Sequence, residues 1–340
     1  MLRVGAVTGG LKSPSARYRV RNYTLPLLKH RVSISEYPAT LRSSPPRSLL
    51  ARPAWGVASM LLRLGDVVRA TLENDILLFQ REIISTLHTY EGFGFRPSIF
   101  DIDDAIWLYR GGRSANAIAE KVNHVICGND YIAEHFGKYN GNISVIPTPV
   151  DTALFAPIGS VEERYAGMKL GWSGTSGGYS YFGETLQRQI TKFLLNNVGW
   201  KFHVLSDHRP MFKWIPQDLV VFTPWTAQVE ASVIASFSIG IMPLDQSNWS
   251  RGKCSYKLLQ YMACGVPSAA SAVGMNINVL DDSRFGCLIY DDSTWFEALN
   301  LYAHDYGYYE EVAANSRMKV LKQFSSAGNV DKLFRVFESL

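Results

Sequence analysis

Cysteine is scarce in this chain: four residues in 340, Cys127, Cys254, Cys264 and Cys287, with no CxxC pair. That scatter excludes a disulfide framework and a zinc site of the usual spacing, and it fits a reducing compartment, so a cytoplasmic setting is expected. Charge of one sign is lacking too. Thirty-four Lys and Arg against thirty Asp and Glu leave a net +4, far from the basic excess of a nucleic-acid binder. Long apolar runs are absent. The best window, Pro53–Leu62, is closed by Arg52 and Arg63 and falls short of the roughly 20 residues that cross a bilayer. Met1–Thr8 is too short for a signal peptide's apolar core, so no signal peptide is expected. Disorder is excluded by a 47% hydrophobic content. At about 150 residues per domain, the length points to two domains.

What the chain has is a repeating alternation of short apolar strands and helical stretches. In the first half, strands are expected at Leu2–Val7, Val32–Tyr37, Asp75–Phe79, Ser98–Ile102, Val122–Cys127 and Ile143–Ile146, with helices at Ser15–Lys29, Ser48–Leu72, Glu82–Tyr90 and Tyr131–Lys138. The second half restarts the pattern with strands at Lys169–Ser173, Lys201–Leu205, Leu219–Phe222, Ile239–Pro243, Pro267–Ser271 and Cys287–Tyr290, and Tyr308–Leu340 reads as two more helices. Strands alternating with helices make βαβ units with parallel sheets. The pattern occurs twice, with a proline-bearing seam at Pro147–Met168, so two α/β, doubly wound domains are expected. Their bounds are 1–150 and 165–325, with a last helix near 326–340 packing back on the first.

Ligands in such sheets bind beyond the C-terminal strand ends, and four stretches there carry chemistry. Gly9 and Gly10 follow the first strand and precede a helix, which allows close backbone approach to an anion; a plain tight turn reads the same way. Just beyond, Arg17 and Arg21 fall at i, i+4. Asp101, Asp103 and Asp104 crowd one strand end, with Asp101 and Asp103 expected to point together. They suit a metal-binding DxD pair, a phosphatase resembling the haloacid dehalogenases with Asp101 as nucleophile, or a surface for sugar hydroxyls. Gly171–Gly178 follows the first strand of the second half; small residues with open amides there suit a phosphate, but the P-loop lysine is missing. The fourth stretch reads as a helix from about Lys253 to Cys264, ended by Gly265, with Lys253, Lys257 and Gln260 on one face. Two lysines in a first turn oppose the helix dipole unless an anion sits there.

These stretches resemble retaining glycosyltransferases of the GT-B fold, in particular glycosyltransferase family 4. The likeness runs through Gly9-Gly10, Ser15–Val20, Asp101–Trp107, Val145–Phe155 and Gly171–Gly174, and is strongest over Ile239–Gly274. It implies two Rossmann-like domains facing a cleft, the first binding the acceptor and the second a nucleotide-diphosphate-sugar donor. The implied reaction transfers a sugar to an acceptor hydroxyl with retention, in cell-surface polysaccharide or glycoconjugate biosynthesis. No metal and no further cofactor is expected. The implied donor residues are Gly9, Gly10, Ser173, Gly174, Thr175, Lys253, Lys257 and Gln260; those on the acceptor side are Arg17, Arg19, Asp103 and Asp104; Asp103, Lys253 and Lys257 are the implied catalytic groups. The chain departs from the family in having Gly252 and Gln260 where many members have Glu, Thr175 where Arg is usual, and Asp103 where His is frequent. The alternatives are a metal-dependent phosphatase or DxD transferase on Asp101 and Asp103, and a non-catalytic nucleotide-sugar binder.

The first third leans basic, with eleven Lys or Arg between Lys12 and Arg69 against Glu36 and Asp66. Met60, Leu61, Leu64, Val68 and Leu72 make a helical stripe there. Core packing explains it, as does contact with an anionic membrane or a lipid-linked acceptor. Trp225, after the strand Leu219–Phe222, is a candidate to stack on a base.

Overall fold

In the computed structural model, residues 1–41, 45–46, 48–85, 87–91 and 96–340 are described. They form two compact units. The first comprises Met1–Pro149, Arg251–Cys254 and Ser326–Leu340; the second comprises Val150–Ser250 and Ser255–Ser325.

Among the described residues the first unit carries a parallel sheet of β1 (Leu2–Thr8), β2 (Val32–Pro38), β3 (Ile76–Gln80), β4 (Ser98–Ile102), β5 (His124–Cys127) and β6 (Ile143–Val145), in the order β2-β1-β3-β4-β5-β6. β3 and β4 are buried along their whole length, as strands covered on both faces must be. Val4, Ile76, Leu78, Ile99 and Ile126 make the core with Val330, Leu333 and Phe337 of the helix Ser326–Glu338. Fully burying each such large side chain contributes about 1.5–3 kcal/mol.

The second unit repeats the arrangement with β7 (Lys169–Ser173), β8 (Lys201–Ser206), β9 (Val220–Pro224), β10 (Ile239–Met242), β11 (Ser268–Ser271) and β12 (Cys287–Ile289), in the order β12-β11-β10-β7-β8-β9. Trp172, Phe182, Phe193, Phe202 and Trp295 dominate its core.

One expected helix does not form, and another forms with its apolar stripe outside the core. The stretch expected as a helix over Glu82–Tyr90 is not one among its described residues; Thr86 lies outside them. The buried Glu91 carboxylate accepts the amides of Ile83 (2.6 Å) and Thr89 (2.8 Å), which fixes the stretch in another conformation. The long helix Arg52–Glu73 forms, but its stripe is not core. It buries Ser59, Arg63, Val67 and Ala70, while Met60, Leu61, Leu64, Val68 and Leu72 are exposed. The buried Arg63 donates to the Thr8 carbonyl (3.0 Å) and to Asp66 (2.7 Å), so polar bonds rather than leucines fasten this helix to the end of β1. No helix among the described residues is long and apolar enough to cross a membrane.

Candidate functional site

Strand order in a doubly wound sheet reverses at one point, and loops beyond the C-terminal strand ends gather there. In the first unit the reversal lies between β1 and β3. Gly9 and Gly10 leave β1, and Arg81 leaves β3. Gly10 has φ of +120°, a backbone that suits glycine. With Leu11–Pro14 and Pro38–Leu41, these glycines line a groove of about 910 Å³. Arg21 holds the loop in place: it pairs with Glu36 (2.7 Å) and donates to the carbonyls of Leu11 (2.9 Å) and Gly10 (3.2 Å). Arg17 is half-buried, its guanidinium 5.3 Å from the Tyr18 ring.

Arg19 does not face an acceptor. It is buried, donates to both Asp101 oxygens (3.0 Å through Nε), and reaches the Ile146 carbonyl at 2.6 Å. Burial raises the Asp101 carboxyl above its usual range, with Arg19 opposing. A carboxylate gripped in this way is not an open nucleophile, which removes the basis of the phosphatase reading. Asp101 and Asp103 pair with different arginines. β4 ends at Ile102, and Asp103 turns to a different cation, Arg81.

Arg81 binds Asp103 through Nε (2.5 Å) and Asp104 through Nη2. Burial pushes Asp103 up, but the charge and hydrogen bond of Arg81 outweigh it, and Asp103 lies below the usual carboxylate range. For Asp104 burial leads, Arg81 opposes, and the adjacent Asp103 charge adds to burial, so this carboxyl lies above that range. Asp103 is therefore an anion able to accept from a hydroxyl, and Asp104 is the partner that takes a proton first. Arg81 has φ of +62°, a left-handed backbone costing about 1–2 kcal/mol in a non-glycine residue. Sequence reading missed Arg81; its place one residue past a strand end is the signal that would have found it.

The expected helix from Lys253 begins three residues later, at Tyr256. Asn129 Nδ2 donates to the carbonyls of Gly252 and Lys253, both at 3.1 Å, taking acceptors that a helix would use. Ser255 then breaks the path with φ of +51°. Lys253 is thus off the helix and grouped with the first unit, where its charge acts on Asp104. Lys257 alone stands in the first turn, grouped with the second unit. Gly252 tolerates no side chain: a Cβ there would lie 2.5 Å from Ala105 Cβ and 2.9 Å from Ala105 N.

In the second unit the strand order reverses between β7 and β10. Lys257 reaches the loop leaving β7: its Nζ would lie 2.5 Å from a Cβ at Gly174, and it sits 5.1 Å from the Trp172 ring centroid. The lysine and the glycine loop are brought together. Three of the loop's amides, however, are already taken. Ser173 N donates to Tyr261 Oη (2.8 Å), Gly174 N to the Leu205 carbonyl (3.0 Å), and Ser176 N to Asp207 (2.6 Å). This corrects the expectation of an amide cradle at Ser173 and Gly174 and leaves Lys257 as the charge that the loop presents. Thr175 caps nothing with its side chain; its carbonyl accepts from Gly178 (2.8 Å). Gln260 is buried and donates to Glu230 Oε1 at 3.1 Å. A buried carboxylate therefore stands beside the residue expected to replace one, brought from a distant helix that the sequence did not flag. Trp225 is exposed just after β9.

Comparisons with known proteins bear on the fold and on the second half of the chain. Residues 172–305 match the family model described as Glycosyl transferases group 1. The second unit carries a group 1 glycosyl transferase domain. The whole chain has the GT-B fold, seen in Anabaena Alr3699/HepE in complex with UDP and glucose (13% identity, all of both chains covered, TM-score 0.74). Sucrose-phosphate synthase from Thermosynechococcus elongatus (12% identity, 100% and 99% covered, TM-score 0.69) is similar. So is WaaG, a glycosyltransferase involved in lipopolysaccharide biosynthesis (14% identity, 99% of each chain, TM-score 0.66). No curated protein matches the sequence.

Proposed function

We propose that this group 1 glycosyl transferase protein moves a sugar from a nucleotide-diphosphate-sugar donor to an acceptor hydroxyl with retention, in polysaccharide or glycoconjugate biosynthesis. The observation that carries the reading is Lys257, a cation held against Gly174 where the strand order of the second unit reverses. HepE is described with UDP and with UDP-glucose, and an α-glucosyltransferase of the same fold with UDP; a uridine diphosphate sugar is the first donor to try.

In this reading the leaving diphosphate gains negative charge as the glycosidic bond breaks, and Lys257 stabilises it as the charge develops. Lys253 supplies a second cation. Gln260 and Glu230 together offer an amide and a carboxylate to the nucleotide's sugar hydroxyls. The anionic Asp103 orients an acceptor hydroxyl, with Gly9, Gly10 and Arg17 beside the groove. A fixed lysine can carry the charge that a divalent ion would otherwise neutralise, so we infer that the reaction needs no metal. Transfer is placed in the cytoplasm, consistent with four free cysteines.

A panel of UDP, GDP and ADP in a thermal-shift assay tests donor binding, because a ligand of the native state adds RT ln(1 + [L]/Kd) to stability. Binding of one diphosphate is expected. No shift with any of them would remove the reading. Lys257→Gln is expected to lower kcat/KM about 10²–10³-fold, with the product's anomeric proton read by NMR for retention. Activity unchanged by EDTA checks the metal inference.

A further inference from the structure

The stretch Arg251–Cys254 is grouped with the first unit, although the residues on either side of it belong to the second. Lys253 and Cys254 lie in neither helix nor strand, so no helix or sheet bonding holds them there. Asn129 supplies two of the bonds that do. It is 5% exposed, and its Nδ2 donates to the carbonyls of Gly252 and Lys253, both at 3.1 Å. Its Oδ1 accepts the Ile132 amide at 2.9 Å as the N-cap of the helix Asp130–Phe136. Cys254 Sγ donates to the Asp103 carbonyl at 3.0 Å and fills the space beside Gly128, where a side chain would collide with it. The anchor points are Asp103 and Ala105 past β4, and Gly128 and Asn129 past β5. They stand beyond the C-terminal ends of adjacent strands, where ligands of such sheets gather.

The cap needs only the oxygen of Asn129, and Asp or Ser caps a helix equally well. The two donated bonds need an amide. Those bonds also fall on a particular place. The Gly252 and Lys253 carbonyls belong to the two peptide planes that flank the Lys253 Cα. Each plane is rigid, so pinning both fixes φ and ψ of Lys253, and with them the direction in which its side chain leaves the backbone. The flexible four-carbon stem of a lysine magnifies any freedom at its root. The charge rooted in this way acts on Asp104, which shares Arg81 with Asp103. We propose that Asn129 is a positioning residue of the transfer reaction: it sets the place of the Lys253 charge in the group formed by Arg81, Asp103 and Asp104. This rests on the reading of Lys253 as a working cation.

The test is a carboxyl NMR titration of Asp104 in the full chain, without ligand, for the wild type, Lys253→Gln, Asn129→Ser and the double variant. Serine keeps the cap and adds no charge, but its single hydrogen cannot serve two carbonyls. In the wild-type background, Lys253→Gln is expected to raise the Asp104 carboxyl, because a cation that lowers it is removed. In the Asn129→Ser background the same substitution is expected to move it little. No rise in either background, or an equal rise in both, overturns the proposal. Should the serine variant unfold, Asn129→Asp, an equally good cap, is compared in the same way. The kinetic counterpart uses the donor found with the diphosphate panel. Asn129→Ser is expected to lower kcat/KM about 10–100-fold, with no such loss in the Lys253→Gln background. A loss of the same size in both backgrounds marks a merely structural role and overturns the proposal too. Failure of every diphosphate to bind removes the donor reading but leaves the titration to decide what places Lys253, so the two failures are distinguishable.

Discussion

Asp103 and Asp104 stand next to each other in the chain yet have different protonation properties, because one arginine serves both. Arg81→Gln is expected to raise the Asp103 carboxyl, since burial is then opposed only by the Ser15 hydrogen bond and the Arg19 charge; carbon-detected NMR titration of the side chain reads this directly. Gly252 shows the same dependence on a neighbour. A Cβ at this position would lie 2.5 Å from Ala105 Cβ, so Gly252→Ala should destabilise the protein by about 1–3 kcal/mol, measured by urea denaturation. The absence of a glutamate at this position is thus a packing requirement. Neither neighbour is readable from the sequence: Arg81 precedes Asp103 by 22 residues, and Ala105 precedes Gly252 by 147.

At the scale of elements, the strand pattern and several helices were legible, and the start of the helix expected at Lys253 was not. All twelve expected strands form within two residues of their expected ends, because apolar runs in a doubly covered parallel sheet leave one reading. The helix at Lys253 starts late because Asn129 removes two of its acceptors. The helix Tyr256–Ala263 is tied to the end of β7 through Tyr261, whose hydroxyl takes the Ser173 amide in a buried position. Tyr261→Phe leaves that amide without its partner and should cost about 1–3 kcal/mol in chemical denaturation. The same bond explains why the glycine loop offers fewer free amides than its composition promises.

For the whole molecule, Asp207, one residue past β8, makes a contribution to acid stability. Burial opposes ionisation of Asp207, but the Ser176 amide and the neighbouring side-chain donors outweigh it and bring the carboxyl from 3.8 to about 2. A carboxyl depressed on folding contributes stability that is complete above its unfolded value and lost as pH falls toward the folded one. The melting temperature should therefore drop between about pH 4 and pH 2, and less steeply in Asp207→Asn; the group is partly exposed, so the effect is modest. The sequence by itself determined the two α/β halves, the GT-B likeness and the strand ends where ligands gather, because hydrophobic periodicity and loop composition are local. Only the tertiary structure decided how the charges are used. It committed Arg19 to Asp101, gave Asp103 and Asp104 to Arg81, and placed Lys253 and Lys257 in separate units. It also turned the leucine stripe of Arg52–Glu73 toward solvent. Each outcome depends on pairing, burial and chain reversal between residues far apart in sequence, and local pattern carries none of that information.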